Sequence, residues 1–183
     1  MAIIKDSHDV EKIVGNMLFK QSDLDRSRIA NAITPRGVDL SKFITDNVKL
    51  SYDLHDIVII FEVTATDADG INFTEAESNI IRENAAFEVK VTTYGNESLA
   101  MTKILKARFE SEKARADLLE EGLYLIDTSS GQSINEYLND TMWPRTDWSF
   151  RVACEMQIRQ IDMMPEISNI DELQTTTTEE AAV

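Results

Sequence analysis

Apolar residues near the start of the chain recur at helical spacing. Val10, Ile13, Val14, Met17 and Leu18 form one stripe, which predicts an amphipathic helix from Ser7 to about Lys20. Ser7 is the expected N-cap, its hydroxyl accepting from a free backbone N–H of the first turn. A second short helix is expected from Ser22, where Asp25 three residues on resembles a capping box. It would carry Leu24, Ile29 and Ile33 and stop near Thr34-Pro35, because proline disfavours α geometry in the residue before it. Residues 36–54 show no clear period.

The pattern then changes to that of strands. Ile57 to Thr66 opens with a continuous β-branched run, the mark of a strand buried on both faces. Asp67-Ala68-Asp69-Gly70 supplies turn chemistry. Residues 71–83 admit two readings, since Ile80 and Ile81 suit the close of a short helix or the opening of a strand. From Asn84 to Tyr94 the chain alternates, with Phe87, Val89 and Val91 on one face and Glu88, Lys90 and Thr92 on the other. This is a half-buried strand.

Gly95-Asn96 turns the chain into a predicted helix over 97–121. Asn96 is placed to cap it, Leu99, Ile104, Leu105, Leu118 and Leu119 to pack on the core, and Gly122 to end it at C′. A short strand follows from Leu123 to Thr128. If the strands on either side of this helix are parallel neighbours, the crossover is expected to be right-handed. Ser129 to Thr146 reads as a polar loop with room for a short helix at Ile134–Leu138. The final strand has the clearest alternation: Trp148, Phe150, Val152, Cys154, Met156 and Ile158 face one way, and Ser149, Arg151, Glu155, Gln157 and Arg159 the other. Burying the apolar side is worth on the order of 10 kcal/mol before chain entropy is subtracted.

Residues 162–183 differ from all of this. They hold six acids, no Lys or Arg, and no apolar period, so a flexible acidic tail or arm is expected after a single domain over 1–161. The whole chain carries a formal charge of −15. Such a chain repels a phosphate backbone unless a basic patch overrides the field. Lys103, Lys106, Arg108, Lys113 and Arg115 share a segment, but Glu97, Glu110, Glu112 and Asp117 are interleaved with them, as on a solvated helix face. No run of about 18 apolar residues and no signal-peptide pattern occurs, so no membrane partner is expected. With Cys154 as the single cysteine, an intrachain disulfide is impossible, and folding in a reducing cytoplasm is the simplest expectation.

The residues offer no catalytic, cofactor or metal site. His8 and His55 lie apart from any metal-ligand spacing, and neither phosphate-binding glycine motif is present. Asp67-Ala68-Asp69-Gly70 resembles the start of a calcium loop, but Ser78 stands where the loop needs a bidentate Glu, so a turn is preferred. Cys154, on an apolar strand face, is read as a small buried hydrophobe and not a nucleophile. Glu120-Glu121 reads as a solvated helix end. Trp143, Arg145 and Trp148 hold more interest, because they surround a short polar stretch beside the last strand. Two readings stand: aromatics covering the edge of the core, or a subunit contact, for which Trp and Arg are favoured.

The order of these pieces resembles the phage neck terminator proteins, related in role to the tail terminators. The resemblance runs from Phe87-Glu88-Val89-Lys90-Val91-Thr92-Thr93-Tyr94-Gly95-Asn96, through Leu99 to Leu119 and Gly122 to Asp127, to Trp143–Thr146 and Asp147–Arg159. It implies a small domain forming a ring, usually a hexamer, that caps the tail tube and joins it to the head connector. Genomic DNA would pass through the channel that this ring lines. A negative lumen would let DNA slide without sticking.

The expectation is therefore an α/β (α+β) domain, tail-terminator-like, with a mixed sheet of four or more strands and two main helices packed on it. Its function is structural, with no cofactor, at the neck of the virion. The alternatives are a head-completion adaptor, a tail-tube subunit or, in another class, a soluble acidic module that mimics DNA toward a basic protein.

Overall fold

The computed structural model describes residues 3–32, 55–66, 74–77, 80–138 and 141–159. The expected turn at Asp67–Gly70, the helix stop at Thr34-Pro35, the aperiodic segment 36–54 and the acidic segment 162–183 lie outside the described residues.

Seven strands form one mixed sheet: β1 (Ile29–Asn31), β2 (Val58–Thr66), β3 (Thr74–Glu77), β4 (Ile80–Tyr94), β5 (Tyr124–Thr128), β6 (Gln132–Leu138) and β7 (Thr141–Arg159). The order across the sheet is β1-β2-β4-β7-β5, with β3 paired to β4 and β6 paired to β7. Among the described strands β1 and β2 run parallel and the other pairs are antiparallel; an isolated parallel bridge joins Ile4 to Met156. β4 and β7 share the longest ladder, from Ile80↔Arg159 to Tyr94↔Arg145, and form the axis of the fold. Three helices, α1 (Ser7–Ser22), α2 (Ser98–Phe109) and α3 (Glu112–Glu120), cover one face. The architecture is α+β, as expected.

The core lies between the helices and that face. Along β7, Trp148, Phe150, Val152 and Cys154 are buried at every second residue, opposite Val91, Val89, Phe87 and Ala85 of β4 in turn. The helices contribute Val10, Val14, Met17 and Leu18 from α1, then Leu105, Phe109 and Leu118. Phe109, Trp148 and Phe150 form an aromatic knot, with centroids 5.0 to 5.8 Å apart. The first four residues of β2, Val58 to Phe61, are buried on both faces, as their unbroken apolar run predicts.

Several expectations are corrected. The N-cap of α1 is Asp6 and not Ser7: its carboxylate accepts from the Asp9 N–H at 3.0 Å. No α-helix starts at Ser22. A single 3-10 turn at Arg26–Arg28 leads into β1, because Asp25 bonds the Ser27 N–H and turns the chain toward the sheet. The ambiguous stretch 71–83 contains β3 and the opening of β4. Ser129 to Thr146 is not a loop with a helix; it contains β6 and the first residues of β7. β4 and β5 are not neighbours, since β7 lies between them, so the crossover expectation for adjacent strands has no application.

The helix expected over 97–121 is two helices. Ser111 has extended backbone (φ −65°, ψ 149°), and its hydroxyl accepts from Ala114 N–H, which starts α3 afresh. The break has a packing reason. Buried positions run Thr102, Leu105, Phe109, then Ala114 and Leu118. The five-residue step from Phe109 to Ala114 would rotate the second half off the core in one continuous helix. Leu99, Ile104 and Leu119, expected in the core, fall off the stripe and are exposed. Asn96 does not cap α2; Glu97 occupies that position without a side-chain bond. Gly95 makes the entry instead, at φ +115°, where an added Cβ would lie 2.3 Å from the Asp56 carbonyl oxygen. Gly122 ends α3 at φ +88°, as expected, and Leu123 N–H bonds the Leu118 carbonyl at 2.9 Å.

Candidate assembly site

β7 has 19 residues and outruns its β4 partner. Past the last pair, Tyr94↔Arg145, residues Thr141–Trp143 continue with β6 alone as a hairpin. At about 3.3 Å per residue this arm extends roughly 10 Å beyond the β4 ladder. Near its tip Tyr137 and Met142 pair directly across the strands, 64% and 53% exposed, and Ile134 is also exposed. A protruding hairpin with uncovered apolar side chains is costly in a monomer and useful in a contact.

The strand parity divides the three residues singled out from the sequence. Trp143 and Arg145 share the face away from the helices, whereas Trp148, five positions later, points to the helix side. Trp148 sits in the aromatic knot, 3% exposed, and its indole N–H has no hydrogen-bond partner among the described residues. Trp143 packs in a small second cluster with Ala32, Val58, Ile60 and Tyr94. The structure thus brings Trp143 and Arg145 together and sets Trp148 apart.

Arg145 anchors the arm. Its Nε and Nη2 each donate to Asp147 at 2.7 Å, and Nη1 donates to Glu136 on β6 at 2.9 Å. The Tyr94 hydroxyl donates to the same Glu136 oxygen at 2.7 Å, and the guanidinium lies over the Tyr94 ring at 5.9 Å. These half-buried bonds join β4, β6 and β7 at the base of the hairpin. Burial, then the bond to Glu136, pushes the Tyr94 phenol well above its ordinary value, so it remains a donor. The Asp147 bonds raise the Arg145 guanidinium further, and it stays charged throughout.

A second set of bonds ties α2 to this base from the helix side. Thr102 donates to Thr93 at 3.2 Å, Thr146 donates to Ser98 at 3.2 Å, and Ser133 of β6 lies 3.3 Å from Thr146. Thr93, Ser98, Thr102 and Thr146 are all buried, so their hydroxyls need these partners. On the open face a shallow cavity of about 420 Å³ runs beside the anchor, floored by Ile60, Thr92 and Tyr94 and walled by Gln132, Arg145 and Asp147.

Sequence reasoning missed Tyr94, Glu136, Asp147, Tyr137 and Met142. The signal for β6 was present: Gln132, Ile134 and Glu136 alternate with Ser133, Asn135 and Tyr137. It was masked because both rows are mixed in polarity.

Burial pushes the Cys154 thiol up to about 11, so it is protonated at neutral pH. No group of His, Cys, Asp and Glu suited to a metal occurs among the described residues. Several of the interleaved charges of α2 and α3 are engaged within the chain: Arg108 bonds Asp23 at 2.6 Å, Lys20 bonds Asp117 at 2.6 Å, and Lys106 lies 3.9 Å from Glu110. No described helix is long and apolar enough to cross a membrane.

Among curated proteins none matches the chain at a significant level. A family model described as "Phage neck terminator protein" matches residues 28–181, from the start of β1 through the end of the sheet and beyond. The match spans most of the chain, and the chain therefore belongs to the phage neck terminator proteins, a family with a structural role at the neck of the virion.

Proposed function

We propose that this chain assembles with copies of itself into a closed ring, a hexamer, which terminates the tail tube and joins it to the head connector. Genomic DNA passes through the ring without being held. The family match over 28–181 carries this reading. The anchored hairpin supports it, because a ring needs a projecting surface that each copy can present to the next. Residues 1–161 form the ring body, and the acidic segment 162–183 acts as an arm that orders on a neighbouring protein. Assembly takes place in the host cytoplasm, before the neck is completed.

Trp143 and Arg145 serve the subunit contact from behind, by fixing the base of the arm, and Trp148 serves it only through the core on which the arm is built. Trp143→Ala together with Arg145→Ala is expected to leave a folded protein that assembles less. Sedimentation showing unchanged oligomers in that variant would contradict the assignment. The ring itself is tested by light scattering across a concentration series and electron microscopy with isolated tail tubes. One closed layer at the tube end supports termination; repeated stacking identifies a tube subunit, and a strict monomer that ignores tubes removes the ring.

A further inference from the structure

The hairpin lies at one lateral edge of the sheet, on the β6 side, and a second hollow lies at the other. Between α1 and the edge strand β1 is a cavity of about 300 Å³, with Gly15, Ile29 and Phe61 at its floor and His8, Lys12 and Arg26 among its rim. Gly15 keeps it open: an added Cβ there would meet the Phe61 ring at 3.1 Å. β1 pairs with the first residues of β2, which pair in turn with the Tyr94 end of β4. The hollow and the hairpin therefore occupy the same end of the sheet, on opposite edges.

A closed ring of identical subunits uses a heterologous contact, in which two different patches of the same chain meet. We infer that the Tyr137–Met142 pair of one copy docks into the α1–β1 hollow of the next copy. This rests on the ring proposed above. Charge favours the pairing. Two chains of net −15 repel each other, so the contact needs surfaces that are locally less acidic. At the rim Lys12 and Arg26 offset Glu11 and the neighbouring Asp9, which lies 3.8 Å from Lys12, and β6 carries one acid, Glu136, and no base. Shape favours it too, since an exposed aromatic and a flexible Met are the side chains that fill an irregular apolar hollow. The Arg145 anchor holds the arm in place beforehand, which lowers the ordering cost of docking.

The test is a disulfide bridge. Full-length protein carrying Tyr137→Cys and Lys12→Cys is oxidised, alone and on isolated tail tubes, and run on a denaturing gel. Cys154 is buried and contributes little background. The expected result is a ladder of linked chains ending at the ring size, absent from either single-cysteine variant. Circular dichroism confirms the fold, and light scattering and microscopy report the closed oligomer independently. A closed oligomer with no ladder, or a ladder equally present in a single variant, overturns the docking and leaves the ring standing. Absence of any closed oligomer in the unsubstituted protein overturns the ring and the docking with it. Tyr137→Ser with Met142→Ser should weaken ring formation by roughly 100-fold at unchanged fold; unchanged assembly overturns the docking.

Discussion

The two faces of the sheet are built on different principles. The helix-side face is an apolar layer in which Val89, Val91, Phe150 and Val152 are fully or almost fully buried under Leu105, Phe109 and Leu118. The open face carries a small apolar cluster at one end and then polar rows, with order imposed by ion pairs: Arg145 to Asp147 and Glu136, and Arg151 to Asp127. Burial without direction gives the first face its stability. Directional bonds give the second its geometry, which places the hairpin and contributes less to holding the fold together.

That contrast can be broken experimentally, and the largest effect should come from the apolar side. Phe150→Ala removes the centre of the aromatic knot and should cost about 3–5 kcal/mol in urea unfolding. A loss under about 1 kcal/mol would mean that this layer does not dominate stability. On the open face, Arg145→Met leaves Glu136 and Asp147 facing each other without a cation. It should cost about 1–2 kcal/mol, because Arg145 remains partly in solvent. Its larger consequence should be a loosened hairpin, read as faster amide exchange in β6 with β2 unchanged.

Tyr94→Phe deletes one bond and should cost about 1 kcal/mol. It also has a pH signature. The Tyr94 phenol titrates higher in the folded chain than its ordinary value of 10.0, so the folded state holds the proton more tightly. The stabilisation is complete below that value and declines as pH rises above it. Wild type should therefore lose stability above about pH 10 more steeply than the Phe variant; parallel curves would show that the phenol is neither buried nor bonded to Glu136 in solution. The smallest effect is expected at Ser111→Ala, which removes the α3 cap and should cost about 0.5–1 kcal/mol by thermal denaturation, with assembly unaffected.

The strongest periods in the sequence correspond to the most buried elements. The α1 stripe, the β-branched opening of β2 and the alternation of β7 each appear as a local pattern because each has one face wholly in the core. The family pattern was legible for the same reason, since it runs through β4, β5 and β7. The misread pieces sit where burial is partial. β1 is three half-buried residues, and its Ile29 fitted a helical stripe equally well. β6 is mostly exposed, so its alternation carries little hydrophobic contrast. The Ser111 break left a short-range signal, a Ser followed by Glu, but it was outweighed by the apolar content on either side.

The candidate site was legible only in part. Trp143 and Arg145 stood out by residue type, and Trp148 was grouped with them because it is near in sequence. A strand separates residues by parity, not distance, so an odd step of five sends Trp148 to the opposite face. Glu136 and Tyr94, which lie 9 and 51 positions from Arg145 in sequence, reach it only through the pairing of β6 and β4 with β7.

The amino-acid sequence by itself determined which segments seek a core, the span of α1 to within a residue or two, and the stop at Gly122, because these follow from side-chain type and local spacing. Tertiary structure alone decided which strand lies beside which, that β7 overshoots β4 to form an arm, and that Arg145 holds that arm from the open face. Register between distant strands depends on the sum of many weak side-chain contacts across the sheet, and no single segment contains that sum.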